Sequence, residues 1–207
     1  MKQVALLSFI FLISIWSYAQ SDIGYGVDME GHIPQGLNVG EKAPAFIINS
    51  IDGKKIDLKG LLKNKEVVII FYRGDWCPVC TRYLSSFNDS LEYIKTKGAE
   101  VLAIGPETSE NASNTQKETA ADFIIIADST QQIAKDYDVL FDVTKGYQRK
   151  IKTFLSTDIA ENNGSDKAQL PVPATFVIGK DGVIKYKQFD YNYKNRASVK
   201  EILDHLE

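Results

Sequence analysis

Cysteine and histidine are scarce in this chain, with two of each among 207 residues. A secreted domain that uses disulfides as scaffolding carries several well-separated cysteines; here the pair stands three apart, as Cys77 and Cys80. A bridge that local closes too small a loop to constrain the unfolded chain much, which favours chemistry over stapling. The histidines, His32 and His205, sit near the two ends without ligand spacing. That disfavours a zinc site, and no metal or other cofactor is expected. Neither sign of charge dominates: 24 basic and 27 acidic residues leave a net charge of −3. A mildly acidic, mixed surface argues against nucleic acid as a partner. There is no Pro/Gly-rich or polar tract and no internal repeat, so one globular domain with a full-sized core is expected.

Long apolar runs are missing too, with one exception. Met1-Lys2 is followed by an almost unbroken apolar stretch from Val4 to Trp16 and then by Ser17-Tyr18-Ala19. A basic start, an apolar segment short for a bilayer and small residues at its end have the form of a secretory signal. The expectation is a signal peptide over 1–19, cleaved after Ala19, an N-terminal extension over 20–38 and the folded domain over 39–207. The mature protein is then exported, periplasmic or secreted, with no membrane contact beyond export itself.

The pattern of elements is mostly readable. Ala45 to Ile51, the turn Asp52-Gly53 and Lys54 to Leu58 form an N-terminal hairpin. Glu66 to Tyr72 is β-branched and aromatic without polar alternation, as in a strand buried on both faces. Apolar residues from Val79 to Ile94 recur at helical spacing, which predicts one helix from Cys77 to about Lys97 stopped by Gly98. Val101–Ile104 and Phe123–Ala127 are further strands, with a helix or looser loop over 107–120 between them and a helix over 131–137 after them. The stretch 141–170 is the least legible, and its centre, Asn162 to Asp166, is loop chemistry. Thr175–Ile178 and Val183–Phe189 flank Asp181-Gly182 as a hairpin, and Ala197–Leu206 closes the chain as an amphipathic helix. Alternating β and α units with a final antiparallel hairpin give an α/β fold, a mixed central β-sheet flanked by helices.

The cysteines fall where the buried strand hands over to the long helix. A helix N-terminus carries unpaired N–H groups and partial positive charge, so a thiolate there is stabilised. Residues i and i+3 on one turn lie within bridging reach. Pro78 suits the first turn, having no N–H to satisfy, and Trp76 would cover the pair on one side.

The run Phe71-Tyr72-Arg73-Gly74-Asp75-Trp76-Cys77-Pro78-Val79-Cys80 resembles the active-site stretch of the thioredoxin superfamily, specifically its peroxiredoxin-like AhpC/TSA branch (alkyl hydroperoxide reductase and thiol-specific antioxidant). Further matches are Val39 to Phe46, Gly98 to Ile104 and Leu170 to Ile178. The resemblance implies a thioredoxin-like fold and a thiol oxidoreductase that cycles Cys77 and Cys80 between dithiol and disulfide. Its substrate would be a hydroperoxide or a protein disulfide, and its electron donor an external, thioredoxin-like thiol. It also places Pro173 at the superfamily's cis-proline, facing the cysteines, with Val172 offering its backbone to substrate; Trp76, Val172 and Pro173 are thus the candidate substrate-binding residues.

The departures from the family pattern matter as much. Peroxiredoxins resemble this chain with Cys80 as the peroxidatic cysteine, but they carry Thr or Ser where Cys77 stands, Pro where Gly74 stands and an arginine where Pro173 stands. Arg73 or Arg82 is a candidate substitute for that arginine. Thioredoxin has a buried acid where this chain has Phe71, so proton handling differs from that enzyme as well. Two other readings stay open: a disulfide reductase of the cytochrome-maturation type, and a redox-inert binding module with a structural disulfide.

Overall fold

A computed structural model describes residues 25–207; the expected signal peptide lies outside the described residues. The centre of the molecule is a five-stranded sheet in the order β5-β4-β3-β8-β9. Strands β3 (Val67–Phe71), β4 (Glu100–Gly105) and β5 (Ile124–Ala127) run parallel, Val67 facing Glu100 and Leu102 facing Ile124. On the other side of β3, β8 (Thr175–Ile178) and β9 (Ile184–Gln188) are antiparallel, Ile70 facing Thr175. All five residues of β3 are buried, because the sheet is covered on both faces. One apolar layer holds Val68, Ile70, Leu84, Phe87, Ile94 and Val177, the other Ile69, Phe71, Leu102, Ile126 and Phe176. The alternation of β3 between the two layers is the period-two geometry of a strand. The N-terminal hairpin, β1 (Ile47–Asn49) with β2 (Lys55–Asp57), forms its own two-stranded sheet, and the short helix α1 (Leu58–Leu62) follows it.

Helix-forming residues after the cysteines make two helices rather than one: α2 (Pro78–Asn88) and α3 (Leu91–Thr96). The break falls on the short polar pair Asp89-Ser90, where the Asp89 N–H closes α2 onto the Ser85 and Phe87 carbonyls. Such residues compete with the helical ladder through local hydrogen bonds, while the apolar spacing is carried across the break. Residues 107–120 resolve into α4 (Ser109–Thr119), capped by the Thr108 hydroxyl accepting from the Asn111 N–H, and α5 (Gln132–Asp136) follows β5.

The illegible stretch is an insert with its own architecture. Strands β6 (Leu140–Asp142) and β7 (Gln169–Pro171) pair antiparallel, and between them lie α6 (Lys145–Leu155) and α7 (Ile159–Asn162). Its apolar residues, among them Phe141, Ile151, Ile159, Leu170 and Val172, make a third cluster. Residues just after the undescribed part lean on this insert, where Val27 bridges to Val143, and on the segment after β9, where Tyr25 meets the Tyr193 ring edge-on at 5.7 Å. The closing helix, α8 (Val199–Leu203), is shorter than its sequence pattern and starts at a capping box between Ser198 and Glu201.

Candidate active site

The parallel strands point their C-terminal ends at one edge of the molecule, where open α/β sheets place their sites. From β3 the chain runs through Tyr72 to Trp76 into α2. Cys77 is the N-cap of that helix, Pro78 its first residue, and the Cys77 sulfur accepts from the Cys80 N–H at 3.3 Å. The two cysteines are joined as a disulfide, with Cα atoms 5.2 Å apart, and both are fully buried. The loop needs glycine at Gly74: its φ is +140°, and a Cβ there would lie 2.5 Å from the Trp76 indole nitrogen.

Each sulfur has its own guanidinium. Arg73, buried, donates from Nη2 to the Cys77 Sγ at 3.3 Å and from Nη1 to the Tyr147 hydroxyl at 2.8 Å. It lies over the Tyr193 ring at 3.6 Å and near the Trp76 ring at 5.3 Å, an arrangement in which the ring faces stabilise the cation. Arg196, partly buried, donates from Nη2 to the Cys80 Sγ at 3.3 Å and from Nε to the Tyr193 carbonyl at 2.8 Å, and sits over Tyr83 at 5.1 Å. Burial pulls the Arg196 guanidinium down to about 10, with the Arg73 charge acting in the same direction; it remains a cation at neutral pH. Among the described residues, neither arginine pairs with a carboxylate. Two cations desolvated without counter-ions are costly to the fold, and the group they surround is the Cys77–Cys80 disulfide. Arg82, by contrast, is exposed on α2 and makes no bond to either sulfur.

A buried carboxyl holds the loop from beneath. Glu107 accepts from the Tyr72 hydroxyl (2.6 Å), the Thr115 hydroxyl (2.8 Å) and the Asp75 N–H (2.7 Å). Asp75 in turn accepts from the Trp76 N–H (2.7 Å) and the Asn162 amide (3.0 Å), tying the insert to the loop. Burial pushes the Glu107 carboxyl up to about 7 from an ordinary 4.5, with the three hydrogen bonds opposing the rise. The folded protein therefore keeps this proton after the unfolded chain has lost it, so its stability falls as pH rises from about 4.5 to about 7. The expected loss is about 3 kcal/mol, measured as urea midpoints across that range. Glu107→Gln should flatten the slope; an unchanged slope in that variant would refute the assignment.

The residues predicted from sequence are unevenly gathered. Trp76 is half-buried and packs against both the core and the insert. Val172 is buried, and its N–H donates to the Val139 carbonyl at 2.7 Å, which leaves its carbonyl as the backbone group to offer. Pro173 continues the antiparallel register beside Tyr72, since Ala174 accepts from the Phe71 N–H. Its peptide bond is not the expected cis isomer, because the described residues contain none. The chain passes from β7 to β8 with Val172 and Ala174 both bonded to neighbours, so no tight turn opposes the ordinary trans preference of an X–Pro bond. The sequence singled out none of Arg196, Tyr147, Tyr193, Glu107 and Asn162 as a site residue, Asn162 being read only as loop chemistry; an arginine among aromatics in Tyr191-Asn192-Tyr193-Lys194-Asn195-Arg196 was the one available signal. No group of three or more His, Cys, Asp or Glu side chains among the described residues is placed to hold a metal.

Residues 39–187 match the AhpC/TSA family. The chain is 33 % identical over 171 residues to the chloroplastic peroxiredoxin Q of Suaeda salsa, a match covering 83 % of this chain and 68 % of that protein. It is 28 % identical over 151 residues to the thiol-disulfide oxidoreductase ResA of Bacillus cereus, covering 73 % and 69 % respectively. Other plant relatives are matched over 58 % of their length. Among solved structures, the peroxidoxin BcpB of Mycobacterium tuberculosis superposes with a TM-score of 0.61 at 17 % identity, over 84 % of this chain and 96 % of that one, a likeness of fold.

Proposed function

The chain belongs to the AhpC/TSA family and is a thiol-dependent oxidoreductase, and from that premise we propose that it is an exported reductase of hydroperoxides in which Cys77 attacks and Cys80 resolves. The observation that carries this reading is the buried, carboxylate-free Arg73 guanidinium on the Cys77 sulfur. In the reduced protein it favours the thiolate. Cys77 also accepts the Cys80 N–H at the start of α2, so it has two donors where Cys80 has one. That reverses the order which likeness to peroxiredoxins suggests. Among the described residues, Arg73 Nε and Trp76 Nε1 make no hydrogen bond, and two such donors suit the oxygens of a peroxide.

The Cys77 thiolate attacks one peroxide oxygen, the O–O bond breaks, and the leaving alkoxide takes a proton to become the alcohol. Cys80 then attacks the sulfenic sulfur, expelling hydroxide, which is protonated to water, and leaving the Cys77–Cys80 bridge. An external thiol returns two electrons. The signal-like first 19 residues support export to the periplasm or beyond, where a thioredoxin-like donor would have to be supplied.

A second reading, reduction of protein disulfides, draws on the helix-borne cysteine pair, which forms its bridge within one turn, and on the likeness to ResA. Intact mass against time separates the two. Reduced protein mixed with stoichiometric hydrogen peroxide should lose two hydrogens within seconds, and Cys80→Ser should stop at a trappable sulfenic acid on Cys77. If the wild type stays reduced for minutes yet promptly reduces a model protein disulfide, the peroxide reading falls.

A further inference from the structure

A dithiol that works in two steps must ionise its second sulfur when the first is spent. Among the described residues, none near Cys80 is placed to take that proton as a base. The titratable groups of the apolar cluster that holds Cys80 are Tyr72 after β3, Cys77 at the cap of α2 and, packed against it, Tyr83 on α2 and Tyr186 on β9; Arg196 comes from the segment before α8, and beyond Tyr72 and Cys77 lie Glu107, Asp75 and Arg73. The two carboxyls are engaged elsewhere, Glu107 with Tyr72, Thr115 and the Asp75 N–H, Asp75 with Trp76 and Asn162. Phe71, where an acid would stand in thioredoxin, is packed between the Tyr137 and Phe176 rings. What touches the Cys80 sulfur is a cation: Arg196 Nη2, at 3.3 Å.

We infer that Arg196 is a catalytic residue of the second step, holding Cys80 as a thiolate once Cys77 has given up its own negative charge to a covalent intermediate. While Cys77 is a thiolate, one anion serves two guanidiniums and Cys80 keeps its proton. When Cys77 becomes a sulfenic acid or a mixed disulfide, the two guanidiniums face no sulfur anion, and the Cys80 thiol is the group in contact with Arg196 that is able to supply one. Its proton leaves with the alkoxide or thiolate expelled in the first step: Cys77–S⁻, Cys80–SH and ROOH give Cys77–SOH, Cys80–S⁻ and ROH. Cys80–S⁻ then displaces hydroxide from Cys77–SOH to close the disulfide. Charge thus passes from one sulfur to the other, and the activating group is an acceptor of negative charge rather than of a proton. The inference rests on the Cys77-first order proposed above but not on which oxidant is physiological.

The test needs no oxidant. In Cys77→Ser, whose hydroxyl is neutral as a spent Cys77 is, thiolate absorbance near 240 nm should titrate Cys80 with a midpoint well below the ordinary thiol value of about 8.5. Adding Arg196→Met should lower the thiolate-to-thiol ratio at fixed pH by more than about tenfold, the scale of removing an adjacent opposite charge. Arg196→Lys should restore much of it, which a purely structural role would not do. Equal midpoints with Arg and Met at this position overturn the inference. Should Arg196→Met fail to fold, the wild type decides: decay of the Cys77 intermediate in single turnover should be flat from about pH 5.5 to about pH 8, whereas a rise of about tenfold per unit, as for an ordinary thiol, overturns it. A low Cys80 midpoint in a protein inert to peroxide would sink the proposed substrate and leave Arg196 in its role.

Discussion

Arg73→Met should slow oxidation of the reduced protein by hydrogen peroxide about ten- to a thousandfold at neutral pH, the range set by a shift of one to three units in the Cys77 thiol when an opposite charge is removed from its side. The guanidinium is in contact with the sulfur, shielded from solvent, and held by the Tyr147 hydroxyl and the Tyr193 ring, so little dielectric screening weakens it. Raising the pH should recover most of the lost rate, because the variant's thiol then ionises unaided. The same substitution should not destabilise the oxidised protein and is expected to stabilise it, since it removes a desolvated charge that has no carboxylate partner. Stopped-flow oxidation across pH, with urea midpoints of the oxidised forms, tests both halves. A rate within a factor of two of the parent, or one that is lost equally at every pH, would show that Arg73 merely packs the loop.

The second large effect is on stability. Phe71→Ala is expected to cost about 3–5 kcal/mol, the usual range for truncating a fully buried aromatic. Phe71 has no exposed surface, and its ring meets Tyr137 at 5.5 Å and Phe176 edge-on at 6.1 Å. Its N–H also continues the ladder to Ala174, so the backbone has little room to collapse into the void. Urea unfolding should show a lower midpoint with an unchanged slope; a loss under about 1 kcal/mol would mean that the three-ring cluster repacks. The position thus belongs to the core, and an acid placed there would be buried among rings rather than poised over a thiol.

These two residues are neighbours on either side of what the sequence makes legible. Phe71 ends a β-branched run whose burial on both faces could be read directly, and Cys77 and Cys80 could be placed at a strand-to-helix junction from local spacing alone. The mixed sheet and the two hairpins follow from the same local signals, period two in strands and turn dipeptides between them. Contacts set by the path of distant segments could not be read that way. Arg196 reaches Cys80 across 116 positions, and Tyr147 reaches Arg73 across 74, through an insert whose strands are only three residues long. Strands that short leave little periodic signal, whereas α6 did carry one, with Tyr147, Ile151, Phe154 and Leu155 at helical spacing. The break between α2 and α3 was hidden for the opposite reason: the apolar period continues through Asp89-Ser90 although the backbone ladder does not. The isomer of the Val172–Pro173 bond is likewise fixed by what its neighbours bond to, not by its own residue types.

The 5.2 Å between the cysteine Cα atoms is a distance that a single helical turn supplies and a disulfide accepts. Closing the bridge on the proposed cycle therefore asks little movement of the backbone at these two positions. On the proposed cycle the two states differ in the amount of charge: a Cys77 thiolate would offset part of the guanidinium charge in the reduced protein, and the disulfide offsets none. A recycling partner of the proposed cycle would then tell the two states apart as an electrometer does rather than as a caliper does, and because the charges are buried its preference should persist as salt is added.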